Sequence, residues 1–271
     1  MKKFIKKLIP RRLGYLLRRI YLSFRRIIFS GKKYYCPLCQ QSYKSMLSGG
    51  FDLPVNNEMK IIGAGRRSNV VCPGCGSTDR DRLLYTYLNN TPGLLKPFVK
   101  ILHIAPEPGL SKFLKNISKI AYKSGVKYHE GFYYGNNIPL FDILNLPFEN
   151  NKFELVVCNH VLEHIENDKR AMEEIFRVMQ PGAKAILQVP WSPILNETIE
   201  DPAITDPKER EKKFGQFDHV RLYGTDYPER LRKVGFDVDI VTLEQLKIKV
   251  DYQNKICIIP NEVIFIAKKP A

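Results

Sequence analysis

From about residue 93 onward, short apolar runs alternate with amphipathic helical stretches, and this pattern restricts the fold more than any other feature. KILHIA, AKAILQVP, DVDIVTL and VIFIAKK read as strands, and FELVVCNHVL begins as one; ISKIAYKSGV reads as a further strand. GLSKFLKNI, NDKRAMEEIFRVM and YPERLRKVG read as helices. Repeated βαβ units give a mostly parallel sheet covered by helices on both faces. In such sheets the ligand lies at the carboxyl ends of the strands, so the residues just after each strand carry the information.

Ahead of this region stand Cys36-Pro-Leu-Cys39 and Cys72-Pro-Gly-Cys75, with thirty-two residues between the pairs; Cys158 and Cys257 stand alone. Two CPxC turns converge four sulfurs on one point, the tetrahedral donor set of a structural Zn²⁺ site, and an iron centre with the same ligands uses the same geometry. Nothing points to secretion, which disfavours disulfides. The intervening loop suits the hairpins of a ribbon, and STDRDRLLYTYLNN reads as a helix closed by TPG.

The net charge of +15 is concentrated in an arm: residues 1–33 hold twelve Lys or Arg and no acid, and the rest of the chain carries only about +3. Arginine pairs at 11–12, 18–19 and 25–26 recur every seven residues, with Leu13, Leu16, Leu17, Ile20, Phe24, Ile27 and Ile28 between them. This predicts a helix with arginines on one side and aliphatics on the other, starting near Pro10. No apolar run reaches the ~20 residues of a bilayer span, and arginines interrupt any signal-peptide core. A basic amphipathic helix at the anionic, cytoplasmic membrane surface is the expectation, with self-packing or RNA as rivals. The expected divisions are a basic segment 1–34, a zinc-ribbon module with its helix 35–92, and an α/β domain 93–271 bearing an insertion near 191–226.

The stretch 142–190, DILNLPFENNKFELVVCNHVLEHIENDKRAMEEIFRVMQPGAKAILQVP, resembles the core of class I S-adenosylmethionine-dependent methyltransferases of the type 11 branch. The resemblance rests on Asp142, Leu146-Pro147-Phe148, Phe153 to Val157, Leu162-Glu163-His164, and Arg177-Val178-Met179-Gln180-Pro181-Gly182, and it covers roughly 95–268. It implies a Rossmann-like α/β sheet flanked by helices, preceded here by the zinc ribbon and the basic helix, with S-adenosylmethionine as cofactor. It further implies that Asp142 accepts a hydrogen bond from the adenine amino group and that Ile143 supplies a backbone contact. Asn159 and His160 leave the fourth strand beside the expected methyl group, and Glu163 serves as a helix-terminal acid or as a functional one. Pro181-Gly182 is expected as a turn before the fifth strand.

Two departures stand out. The segment ILHIAPEPGL occupies the place of the family's Gly-rich loop, yet Pro106 and Pro108 remove amide donors and only Gly109 remains of the usual glycines. Ala105, Glu107 and Gly109 are the cofactor candidates there, with Glu107 facing the amino group. No Asp marks the ribose position near YKSGVKYHEG, where Glu130 or His129 substitutes.

Between the fifth strand and the late helix, the segment FGQFDHVRLYG gathers Gln216, Asp218, His219, Arg221 and Tyr223 in a loop long enough for a lid. With CPGCGS ahead of it, it is similar to bacterial methyltransferases of undefined substrate. His219 is the expected base, oriented by Asp218 or Asp226, with His160 also catalytic. Arg221 is expected to hold an anionic group, with His164, Gln216 and Tyr223 as further substrate contacts. Signatures of base methylation, Asn-Pro-Pro-aromatic and Pro-Cys, do not occur. The expected acceptor is a small molecule, sugar or lipid-linked glycan; an RNA methyltransferase and a non-catalytic binding protein are the alternatives, with nucleic acid disfavoured by the nearly neutral body.

Overall fold

The computed structural model describes residues 10–128 and 138–271. Glu130 and His129, and the first nine residues of the basic arm, lie outside the described residues. Helix α1 (Arg11–Ile28) leads into a cysteine module. There, strands β1 (Ser30–Cys36) and β2 (Gln41–Tyr43) form a hairpin around the first knuckle. Strands β3 (Leu47–Gly49) and β4 (Arg67–Val71) pair antiparallel, with the short helix α2 (Pro54–Glu58) between them.

The second knuckle runs into α3 (Asp79–Asn90). Its start is fixed by a reciprocal cap: Thr78 Oγ1 accepts from Asp81 N–H, and Asp81 Oδ2 accepts from Thr78 N–H. Burial, and then the nearby Glu107 carboxylate, push the Asp81 carboxyl up to about 7.

The α/β region follows as β5 (Lys100–Ile104), α4 (Pro108–Lys115), β6 (Ala121–Gly125), β7 (Phe153–Asn159), α5 (Asp168–Val178) and β8 (Met179–Gln188). After an excursion through β9 (Ile199–Glu200), α6 (Pro207–Phe214) and β10 (Arg221–Leu222) come α7 (Tyr227–Arg232), β11 (Asp237–Thr242), α8 (Val250–Ile256) and β12 (Val263–Lys268). The main sheet runs β6-β5-β7-β8-β12-β11, with β6 to β8 parallel and β12 antiparallel to both its neighbours. This is the expected mixed, mainly parallel methyltransferase sheet. A further strand position is reduced to one parallel bridge, Val126 to Leu140, beside the segment that leads to Asp142. Pro181-Gly182, expected before the fifth strand, falls inside β8, because pairing with β7 already begins at Met179 opposite Phe153 and resumes after an irregularity.

Period-two alternation divides the core. Leu102, Val156, Ala185 and Phe265 face Met172 and Ile175 of α5 and Tyr227 of α7. Ile101, Leu155, Val157, Ile186 and Ile264 face Leu83, Leu84 and Leu88 of α3 and Leu110 of α4. The helix after the second knuckle is therefore a layer of the main sheet. Arg82 locks it there: fully buried, its guanidinium donates to the carbonyls of Ser77 (3.1 Å), Val70 (3.1 Å), Cys257 (3.2 Å) and Ile256.

Helix α1 is turned the opposite way from a helix that packs by its apolar face. Leu13, Leu17, Ile20, Phe24 and Ile27 are exposed, whereas Gly14 is buried and Tyr15, Arg18, Leu22 and Arg25 are half-buried against the protein. Arg12, Arg19 and Arg26 flank the outer stripe. No helix among the described residues is long and apolar enough to cross a membrane.

Two predictions follow from buried charge. Arg82→Met keeps the volume but leaves four carbonyls without their donor; urea unfolding is expected to show a loss of about 3 kcal/mol or more. Glu262, just before β12, is buried, its Oε2 has no partner among the described residues, and burial pushes its carboxyl up to about 7. The folded state therefore holds a proton that the unfolded chain releases near its ordinary value. Stability should fall as pH rises from about 4.5 to 7, by up to about 3 kcal/mol, and then level off. Glu262→Gln should remove that slope in unfolding curves measured at pH 5 and pH 8, leaving the variant the more stable at pH 8.

Candidate active site

The ends of β5 and β7 lie side by side, and both strands leave the sheet through a left-handed residue that is not glycine: Ala105 (φ 48°) and His160 (φ 51°). Such backbone is sterically costly and is held by its surroundings. Ala105 N–H donates to Gly125 O, and His160 N–H donates to Gln188 O. The strand exits open a cavity of about 320 Å³ lined by Ala105, Glu107, Asn159 and His160 from the sheet, Thr78 and Arg80 from α3, and Arg18 from α1. Its size falls in the range of small-molecule sites.

Glu107 bridges the two strand ends. Its Oε2 accepts from His103 Nε2 (2.8 Å) and its Oε1 from Asn159 Nδ2 (2.9 Å), while His103 Nδ1 lies 3.0 Å from the Tyr122 hydroxyl. Burial works to raise the Glu107 carboxyl, but the bonds from His103 and Asn159 outweigh it and hold it below the usual range. Asn159 Oδ1 is buried with no partner among the described residues. Gly109 sits against Leu38 of the first knuckle and Ser77 of the second, so the cysteine module packs on this loop. Asp142 accepts from Leu144 N–H (3.0 Å) and pairs with Lys127 (3.2 Å); Ile143 is buried in the core. On the outer side of the loop, an open cleft of about 810 Å³ runs between α1 (Arg12, Tyr15, Arg19) and Pro106, Gly109 and Pro139.

A second chamber of about 290 Å³ lies behind His160, which lines both. Arg80 donates to Gly63 O and lies 2.9 and 3.0 Å from the two ring nitrogens of His160, whose Nδ1 is 3.2 Å from Glu163 Oε1. Burial, with Arg80 beside it, lowers His160 to about 4. Burial works to raise Glu163, but the His160 contact and the other histidines hold it at about 2. His164, Gln216 and His219 join them here, and Asp218 braces them from behind. Gln216 donates to Asp218 Oδ1 (2.8 Å), His164 Nδ1 lies 3.2 Å from Asp218 O, and the rings of His164 and His219 meet edge-on at 4.8 Å.

The loop segment thus divides at residue 220. Gln216 and His219 line the chamber, with Asp218 behind them, whereas Arg221 and Tyr223, expected at the substrate, are buried in the frame. Arg221 donates to Glu200 and to the carbonyls of Leu162, Ile165 and Glu166, so it clamps the turn that carries Glu163 and His164. The Tyr223 hydroxyl donates to Asp168. Asp226 accepts from Thr198 and does not orient His219. Arg80 and His103 escaped the sequence reading: Arg80 lies in no motif, and His103 sits inside a strand that reads simply as apolar.

The four knuckle cysteines come together with no disulfide. Cys36 and Cys75 sulfurs are 3.6 Å apart, and those of Cys39 and Cys72 3.7 Å. These match the ~3.8 Å edges of a tetrahedron with ~2.3 Å metal–sulfur bonds, so the cluster has the geometry to hold zinc. Cys158 is buried, and burial pushes its thiol far up.

Residues 110–187 match the methyltransferase domain family. Over 46 residues the chain is 39% identical to a 2-phytyl-1,4-naphtoquinone methyltransferase of Nostoc punctiforme, covering 17% of this chain and 20% of that one. Over 123 residues it is 29% identical to an uncharacterized protein of Methanocaldococcus jannaschii, covering 45% and 52%. The chain therefore spans from about a fifth to about half the length of these curated relatives. Among solved structures, a SAM-dependent methyltransferase from Archaeoglobus fulgidus superposes with a TM-score of 0.45 at 17% identity, over 71% of this chain and 95% of that one. Residues 110–187 therefore carry the match to the methyltransferase domain family within the mainly parallel sheet, and a four-cysteine cluster lies near the N-terminus of the chain.

Proposed function

We propose that the protein transfers a methyl group from S-adenosylmethionine to a small-molecule, sugar or lipid-linked glycan acceptor at an anionic membrane surface. The observation that carries this is the cavity between the ends of β5 and β7, with the unpartnered Asn159 Oδ1 inside it. The bound cofactor supplies an electrophilic methyl on sulfur. In this reading Asn159 Oδ1 accepts from its ammonium group, Glu107 fixes Asn159 in that orientation, and Asp142 meets the adenine amino group. Glu130 remains the ribose candidate. Pro106 and Pro108 replace the glycine loop without loss, since a sulfonium cofactor brings no phosphate that needs an amide cradle. His160 forms the wall between cofactor and acceptor, and His164, Gln216, Asp218 and His219 border the acceptor side. Alignment across that wall supplies much of the rate. Zn²⁺ in the four thiolates is closed to substrate and holds the module that delivers Thr78 and Arg80 to the cavity.

The membrane part is supported by the outward apolar stripe of α1, flanked by Arg12, Arg19 and Arg26. Exposed Leu17, Ile20, Phe24 and Ile27 give this helix an apolar contact face that an RNA-binding helix does not use.

Two measurements test this. Calorimetric titration with S-adenosylmethionine should give micromolar affinity, weakened at least tenfold in Asp142→Ala and in Asn159→Ala; no binding to the folded wild-type protein would remove the enzyme reading. The protein should float with phosphatidylglycerol vesicles, and the double variant Ile20→Glu, Phe24→Glu should stay at the bottom of the gradient with cofactor affinity unchanged. Salt-sensitive retention on RNA without flotation would overturn the membrane assignment.

A further inference from the structure

We propose that Glu163, His164 and His219 form a divalent-cation site behind His160, separate from the four cysteines. The carboxylate oxygen and the ring nitrogens of these three residues lie within 4.8 Å of one another. Glu163 is 1% exposed, its Oε1 is 4.0 Å from His164 Nε2, and its Oε2 has no hydrogen-bond partner among the described residues. A buried carboxylate oxygen without a donor is costly unless something positive meets it.

The histidines are prepared to meet the same ion. His219 Nδ1 lies 3.1 Å from Phe214 O, and His164 Nδ1 lies 3.2 Å from Asp218 O. A carbonyl can only accept, so each ring carries a proton on Nδ1, which leaves Nε2 as the nitrogen that can offer a lone pair to an ion. This is the tautomer that metal-binding imidazoles adopt when a backbone carbonyl orients them. Val220 N–H donates to Glu163 O (2.9 Å), and Arg221 donates to Leu162 O (3.0 Å), so the turn with Glu163 and His164 is tied to the segment with His219. His164, half-buried, has the freedom to close the remaining distance to the ~2.1 Å bonds of an ion.

Two imidazoles and one carboxylate suit Mn²⁺, Fe²⁺, Co²⁺ or Zn²⁺, and three protein ligands leave positions open. The chamber around them is about 290 Å³ and shares His160 with the cofactor cavity. Resting on the methyl-transfer reading above, the site assigns the acceptor class: a hydroxyl compound that binds the cation through oxygen. The cation lowers the hydroxyl's pKa, and its proton passes to solvent. The oxygen then bonds to the methyl carbon as the carbon–sulfur bond breaks, and the bonding pair stays on sulfur, turning the sulfonium into a neutral thioether. In this arrangement His219 binds a cation in place of a proton.

The test is titration of the chelator-washed protein with Mn²⁺, following the free ion by electron paramagnetic resonance. Mn²⁺ avoids all-thiolate sites, so the cysteines do not contribute. One ion per chain is expected, with at least tenfold weaker binding in His164→Ala and in His219→Ala, each checked by near-ultraviolet circular dichroism, and also in Glu163→Gln. No bound Mn²⁺ in the wild-type protein, or equal binding in both folded histidine variants, overturns the site. Calorimetry with S-adenosylmethionine separates the two readings: absent cofactor binding with Mn²⁺ still bound removes the methyl-transfer reading and leaves the cation site standing.

Discussion

A guanidinium sealed from solvent with four carbonyls around it sets the geometry of this molecule. Arg82 gathers the second knuckle, strand β4 and the end of α8 onto one planar group. Arginine suits this because its five N–H donors form a fixed fork that a lysine cannot reproduce. With Arg82 anchored, α3 lies on the sheet with its N-terminal turn over the ends of β5 and β7, and Arg80 reaches Gly63 O and the His160 ring. The cysteine module is therefore part of the wall of the site.

The chemistry at the strand ends replaces one set of constraints with another. A glycine loop gives close approach through missing side chains. Here Ala105 takes the left-handed conformation without glycine, and Glu107 ties His103 to Asn159 across the two strands. The loop is held by hydrogen bonds and by Leu38 and Ser77 of the knuckles, so its shape depends on long-range packing.

That dependence explains how far the sequence could be read. The sheet was legible because apolar alternation and helix periods are local, and the cysteine cluster because CPxC turns converge by their own geometry. Asn159, His160 and Glu107 were legible because strand exits are predictable positions. Periodicity located helix α1 but could not say which face turns inward, since both choices share one period. The polar segment 216–223 looked uniform in sequence, yet its first half lines the chamber and its second half braces the turn at 162–166, a division set by the β9–β10 pairing. Arg80 was hidden because its partner His160 is eighty residues away.

Helix α1 resembles an appendage that an expression scientist would trim to improve solubility. Arg12, Tyr15 and Arg19 line the open cleft, and Arg18 lines the cavity between β5 and β7. A chain begun at residue 30 would thus lose a side of both spaces while keeping every strand of the sheet. With its strands in place it would still misreport the enclosure of its own site.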